Sequence, residues 1–279
     1  MKAKITVLCE NSVFGVASWG ATAEHGWAVF LETDQGNFLL DTGQGMTIIN
    51  NARVFRKDLR NLQGIILSHH HSDHTGGLLA VLQASGPVKV YAHPDIFKDS
   101  YSIQIEGKEF DVGMPFKRSI LESYGAQFVF VQQYQEIAPG LFLTGEIPRC
   151  TTFEKGDPKL VVKGAKGYEQ DMIQDDLTVV METAQGLVVI LGCSHAGLVN
   201  ILNYVREKTG KSGIYAIIGG THLAFTSQEQ LDETTRALKA GAVQKIGVSH
   251  CTGMLPALRM LQEFGEKFFF CPVGTVLEV

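Results

Sequence analysis

The chain lacks a cysteine framework. Its five cysteines, Cys9, Cys150, Cys193, Cys251 and Cys271, are odd in number and form no Cys-x-x-Cys pair. This spacing argues against a disulfide-stapled secreted domain and is consistent with a reducing cytoplasm. There is no long basic run and the net charge is −5, so the footprint of a nucleic-acid-binding surface is missing. No apolar run approaches membrane length, which leaves no expected membrane span. Residues 1–8 alternate and are too few for an export signal, a second reason to expect a cytoplasmic protein. The 279 residues, 45% of them hydrophobic, suffice for a large core in one domain, or in two tightly joined halves.

Histidine is concentrated instead of scattered. The stretch Ser68-His69-His70-His71-Ser72-Asp73-His74-Thr75-Gly76-Gly77 holds four of the nine histidines. The apolar run 64–67 before it reads as a short buried strand, and 76–82 after it reads as a helix start. The cluster therefore sits on a strand-to-helix loop, where neighbouring side chains can converge. Its interior position rules out a purification tag. Imidazoles with one hard carboxylate suit a divalent ion such as zinc, manganese or iron. His70, between His69 and His71, is expected to face away from the metal.

Along the rest of the chain, residues 4–9 read as a strand, and 27–33 with 37–40 as a hairpin through Asp34-Gln35-Gly36. Residues 44–55 read as a helix and 88–91, 127–132 and 140–144 as strands. Two irregular segments, 97–119 and 148–168, look like surface excursions that could serve as lids. In the C-terminal half one pattern recurs three times: an apolar strand ends, a histidine stands at its carboxyl edge, and a helix follows. The histidines are His195, His222 and His250. Strands alternating with helices imply sheet inside and helix outside, and ligands bind at the rim where such strand ends gather.

These residues resemble the metallo-β-lactamase superfamily. His69-x-His71-x-Asp73-His74 matches its signature, and Asp41-Thr42-Gly43 matches the aspartate turn that precedes it. The resemblance implies an α/β, four-layer αββα sandwich spanning residues 1–279 as a single domain, with one or two divalent ions at the sheet edges. Gly192-Cys193-Ser194-His195, Gly220-Thr221-His222 and His250-Cys251-Thr252-Gly253 are most similar to the branch that includes archaeal dihydropterin ribofuranosylaminobenzene-phosphate synthases and proteins labelled only as metal-dependent hydrolases. Two features depart from the superfamily pattern. Cys193 stands where a bridging aspartate is usual, and no histidine lies near Glu146, where a third ligand is usual, leaving His195 as the substitute.

The resemblance then implies one ion on His69, His71 and His195, and a second on Asp73, His74 and His250. Three protein ligands per ion leave room for water and substrate. Asp73 and His222 are the candidate catalytic groups, and Asp41 is expected to orient a ligand histidine. Asp175 or Asp176 could supply the missing carboxylate or simply form a turn. Cys193 could be a soft ligand or a small buried residue. Glu24 and His25 could line the mouth or sit in a solvated loop. Lys117, Arg118 and Arg149 could meet a phosphate, and the helix start near Thr75 would favour an anion. The expected substrate is an anionic small molecule. Hydrolysis of a phosphorylated or ester-like compound, a transferase of the dihydropterin synthase type, and a metal-loaded sensor without turnover all fit the residues.

Overall fold

A computed structural model describes residues 1–15, 19–103 and 107–279. The first half supplies β1 (Ala3–Cys9), β2 (Ala28–Thr33), β3 (Gly36–Leu40), β4 (Leu62–Ile66), β5 (Val88–Ala92), β6 (Tyr101–Ile103), β7 (Glu109–Asp111) and β8 (Ala126–Phe130). The second supplies β9 (Gln135–Ala138), β10 (Leu141–Leu143), β11 (Leu160–Gly164), β12 (Gly167–Gln170), β13 (Val179–Thr183), β14 (Gly186–Ile190), β15 (Ile214–Gly220), β16 (Lys245–Ser249), β17 (Phe268–Phe270) and β18 (Val276–Glu278). Two seven-stranded sheets result, in the orders β18-β1-β2-β3-β4-β5-β8 and β17-β16-β15-β14-β13-β10-β9.

The two sheets are built alike. Each has an antiparallel hairpin, β2–β3 or β13–β14, closed by the same chemistry. Thr33 Oγ1 donates to the Gly36 carbonyl at 2.8 Å, and Thr183 Oγ1 to that of Gly186 at 2.8 Å. From β3 and from β14 onward the pairing is parallel. Parallel strands need crossovers that cover the sheet, and their residues are apolar on both faces. The crossovers are α1 (Ile48–Val54), α2 (Ser72–Thr75), α3 (Leu78–Ser85) and α4 (Arg118–Ser123) on one side, and α5 (Leu198–Thr209), α6 (Gln228–Ala240) and α7 (Met254–Phe264) on the other. Trp27, Leu31 and Ile66 of the first sheet pack with Met181, Ile190 and Ile218 of the second between the sheets. Phe30, Ile65 and Leu67 face α1 and α3, while Val189, Ile217 and Ile246 face α5 to α7. The layers are therefore helix, sheet, sheet, helix, as expected. Among the described residues no helix is long and apolar enough to cross a membrane.

Three expectations are corrected. The helix anticipated over 44–55 begins only at Ile48, because Gly43 and Gly45 hold φ of 67° and 105° and no side chain fits: a Cβ on Gly45 would lie 2.9 Å from the Gly76 carbonyl oxygen. The helix after the histidine loop is split into α2 and α3. The split lies at Gly76-Gly77, where the chain passes so close to Thr42 and Gln44 that a Cβ on Gly77 would meet Thr42 O at 2.2 Å. As a single four-residue turn, α2 is too short for the anion-favouring dipole expected near Thr75. The two lid segments pair with each other: β6 joins β11 to make a third sheet, β12-β11-β6-β7. It is fastened to the body by Ser72 N donating to Val112 O at 2.8 Å and by His70 Nε2, 3.5 Å from Asp171 Oδ2, while Lys98 Nζ, donating to Asp171 Oδ1 at 2.7 Å, ties its two flanks together. Residues 104–106 of the first segment lie outside the described residues.

Candidate metal centre

The histidine loop leaves β4 and is held open by Asp41. That carboxylate accepts from Ser68 N and Ser68 Oγ, both at 2.7 Å, and its Oδ2 lies 2.7 Å from His74 Nδ1. Asp41 thus fixes the His74 ring with Nε2 toward the cleft, the orienting role expected of it. His70 turns the other way, as expected. Its Nδ1 lies 2.8 Å from Asp175 Oδ2, and its backbone N donates to the same oxygen. Burial works against the His70 cation, but Asp175 and Asp171 outweigh it and lift the ring to about 9. Asp175 is therefore committed to His70. Asp176 accepts from Ala196 N at 2.8 Å, which steadies the loop carrying His195. Among the described residues, neither stands in a group of three donors close enough to share an ion, and Asp176 Oδ1 is buried without a hydrogen-bond partner.

The ring nitrogens of His69, His71 and His195 lie within 4.8 Å of one another. A second group of the same reach is His25, Asp73 and His250, and a third is His69, His74 and Cys193. His250 Nε2 is 3.0 Å and His25 Nε2 3.2 Å from Asp73 Oδ2. His74 Nε2 is 3.0 Å from Cys193 Sγ. Of the six expected metal residues, His71, Asp73, His195 and His250 line the cleft, His69 and His74 are buried beside it, and His25 instead of His74 groups with Asp73 and His250. His25, on a loop with its side chain 58% exposed, lines the mouth of the cleft, one of the two placements its sequence context allowed. Asn11 links the two histidines, with Nδ2 3.4 Å from His25 Nδ1 and Oδ1 2.8 Å from His250 Nδ1. No local motif announced that link, because Asn11 and His250 are 239 residues apart.

Electrostatics favour a cation. Burial, then neighbouring His74, holds His69 well below the ordinary histidine range, and burial pushes His71 down to about 3. Burial and His222 do the same to His195. Asp73 stays ionised because His74 and its imidazole hydrogen bonds overcome the burial cost. Nε2 of His71 and of His195 are buried without a hydrogen-bond partner. Neutral imidazoles with orphaned, convergent nitrogens beside an anionic carboxylate are satisfied by a divalent ion, so the residues fit the group that the sequence implied.

His222 stands over this set. Its ring is 4.2 Å from that of His195, and both its nitrogens are buried without a hydrogen bond. Asp157 Oδ2 approaches Nε2 to 3.7 Å. Burial disfavours the imidazolium, yet Asp157 and Cys251 raise the ring to about 9. Asp41, Ser194, His222 and His250, all at strand ends on the rim, hold φ of 57°, 61°, 55° and 49°. Such backbone costs roughly 1–2 kcal/mol per non-glycine residue and persists where surrounding contacts impose it.

Other expected residues lie elsewhere. Glu24 is buried and accepts from Gly45 N and Met46 N. Arg149 donates to the His195 carbonyl at 2.7 Å and to Met172 O, so it braces a site loop from behind. Arg118 pairs with Glu122 at 2.7 Å. Neither arginine nor Lys117 lines the cleft; Lys159 does, and it was missed for want of a motif. Glu146 sits where a third histidine is usual, and instead receives His93 Nε2 at 3.0 Å. The cleft is a cavity of about 270 Å³, walled by His71, Asp73, His195, His222 and Phe225 and roofed by Leu160 and Val112 of the third sheet region.

A model of the metallo-beta-lactamase superfamily matches residues 21–197, a span that includes the histidine loop and His195 but ends before His222 and His250. A 7,8-dihydropterin-6-methyl-4-(beta-D-ribofuranosyl)-aminobenzene-5'-phosphate synthase of Methanocaldococcus jannaschii is 30% identical over 268 residues, covering 92% of this chain and 90% of its own. A hydroxyacylglutathione hydrolase of Hahella chejuensis is 29% identical over 141 residues, 48% of this chain and 52% of its own. The crystal structure of a metal-dependent hydrolase of the beta-lactamase superfamily superposes with a TM-score of 0.83 at 29% identity over 99% of both chains. The chain belongs to the metallo-beta-lactamase superfamily.

Proposed function

We propose that the protein is a metal-dependent enzyme that hydrolyses a phosphorylated or ester-like anionic small molecule. The observation that carries this reading is the pair of buried, unpartnered imidazole nitrogens of His71 and His195 facing one small cavity. His69, His71 and His195 would hold one divalent ion, and Asp73, His74 and His250 a second, with zinc the best match and manganese or iron alternatives. Ions bound there would act as Lewis acids on a phosphoryl or carbonyl oxygen and would acidify water.

The remaining roles belong to the chain. Asp73, ionised, holds His25 and His250 in place and orients the attacking water. His222, kept protonated beside Asp157, donates a proton to the leaving group, as a positioned general acid must. Among the described residues Lys159 is the one lysine or arginine lining the cavity, and it meets the substrate's negative charge. The third sheet roofs the cavity and limits water.

A second reading has its own support. The Methanocaldococcus jannaschii relative, similar over nearly its whole length, is a synthase. In a reaction of that type the acceptor is a second organic molecule, and pyrophosphate leaves instead of phosphate. Metal-loaded protein incubated with phosphomonoesters, and separately with a pterin pyrophosphate plus a ribosyl-aminobenzene phosphate, distinguishes the two by phosphate against pyrophosphate release. Turnover of neither class, with His222→Ala leaving metal and ligand binding unchanged, would leave only the sensor.

A further inference from the structure

Four of the five cysteines are buried, and they fall into two kinds. Cys271 packs among apolar residues between the sheets, and Cys9 sits in the other core with its Sγ donating to Glu24 Oε1 at 3.2 Å, away from the cleft. Cys193 and Cys251 instead line the cleft. We propose that these two thiols enter the coordination of the ion on the Asp73–His250 side as a thiolate pair, so that this position selects a thiophilic ion such as zinc or cadmium over magnesium or manganese. The inference rests on the metal-dependent reading above and adds to it which chemistry of ion the site accepts.

The geometry points this way from three directions. Cys193 Sγ, Cys251 Sγ and a ring nitrogen of His250 lie within 4.8 Å of one another. With zinc–sulfur bonds of about 2.3 Å, two thiolates on one ion stand no more than about 4.6 Å apart, so little movement is needed to close on a cation. Cys193 also shares that reach with His69 and His74, and with His195 and His222, so its sulfur is central to the whole donor set. Finally, the backbone around the sulfurs is cut back to admit them. A Cβ on Gly220 would lie 2.5 Å from Cys251 Sγ and 2.7 Å from the Gly192 carbonyl oxygen. A merely space-filling role accounts for Cys271, and a local hydrogen bond to Glu24 for Cys9. Neither accounts for Cys193 Sγ lying 3.0 Å from His74 Nε2, or for Cys251 Sγ, which accepts from His222 N at 3.3 Å, sharing the reach of Cys193 and His250 in the cleft. Thiolate is a soft donor, and replacing a bridging carboxylate by sulfur moves the preference toward zinc-like ions and away from hard, oxygen-seeking ones.

The test uses the full-length protein, stripped of metal and titrated with cobalt(II) alone. A thiolate-to-cobalt charge-transfer band in the near ultraviolet is expected. It should weaken in Cys193→Ser and in Cys251→Ser and vanish in the double variant, with circular dichroism reporting that each is folded. In competition, the cadmium-over-manganese preference should fall in the double variant by roughly tenfold or more, the loss that removal of even a supporting partner of a ligand causes. A measurement on the unaltered protein guards against misfolded variants: zinc should protect Cys193 and Cys251 from iodoacetamide, located by mass spectrometry, while exposed Cys150 reacts regardless. Stoichiometric cobalt binding without a sulfur band, or zinc-loaded protein alkylated at both cleft cysteines, overturns the thiolate pair and leaves the metal-dependent reading standing. Absence of any cobalt binding overturns both.

Discussion

Asp41→Asn isolates the contribution of a single proton's position. The carboxylate is fully buried and serves three donors: Ser68 N, Ser68 Oγ and, 2.7 Å away, His74 Nδ1. Asparagine is nearly isosteric and tolerates the residue's φ of 57° better than other side chains, so the backbone is left alone. What changes is the acceptor. With its oxygen on Ser68 N, the amide presents NH₂ to His74 Nδ1, which then accepts, and the imidazole proton moves to Nε2. That nitrogen faces Cys193 Sγ at 3.0 Å, the side on which a metal would bind. Loss of such an orienting partner typically weakens metal binding 10–100-fold, equivalent to about 1.4–2.7 kcal/mol. A chelator-competition titration with zinc measures it directly. Asp41→Ala should cost the same binding and also destabilise the fold, since two buried donors on Ser68 lose their acceptor at about 1–3 kcal/mol each. An Asp41→Asn protein that binds zinc within twofold of the parent would refute the orienting role.

Three further outcomes are expected. Glu154 is buried and accepts from Val199 N at 2.8 Å, Asn200 N at 2.9 Å and Thr151 Oγ1 at 2.9 Å, closing the first turn of α5; Glu154→Ala should cost about 2–4 kcal/mol and lower the melting temperature by about 5–10 °C, and a calorimetric shift under 2 °C on that scale contradicts the capping role. Gly220→Ala should destabilise by about 1–3 kcal/mol through overpacking, because the new methyl meets Cys251 Sγ and the Gly192 carbonyl; an unchanged denaturant midpoint would show that the strand end yields freely. Burial raises the Asp171 carboxyl, but hydrogen bonds from His70 and Lys98 more than reverse this and hold it well below the usual range. The unfolded carboxyl protonates near pH 4 while the folded one remains ionised, so this stabilisation is present above that pH and is lost as pH falls below it. Asp171→Asn should therefore flatten the acid limb of the stability profile, and a limb as steep as the parent's would count against it.

How much was legible from the sequence depended on how local each signal was. The histidine loop was readable because four donors and their strand and helix flanks occupy one short stretch. His195, His222 and His250 were readable because parallel strands deliver their carboxyl ends to one rim. His25 was readable only as a residue that could line the mouth; its place beside Asp73 and His250 owes itself to Asn11, a contact that no spacing encodes. The pairing of Cys251 with Cys193 depends equally on how β14 and β16 come to end on either side of β15. The third sheet escaped notice because β6 and β7 have only three residues each and β12 is exposed throughout, which leaves no alternation to detect. The late start of α1 was hidden as well: its cause is a close approach of Gly45 to Gly76, invisible until both loops are in place.

The cleft draws its donors from both sheets: His69 to His74 follow β4, whereas His195 and His250 follow β14 and β16. Glu10 and Asn11, beyond β1, already reach across to hold His250. An ion seated among these groups would act as a rivet through the seam, and heat resistance would become a dial turned by the surrounding free metal. At a hundredfold excess over its dissociation constant the gain is about 2.7 kcal/mol. A metal-starved cell would then hold a softer version of the same polypeptide, with no residue altered.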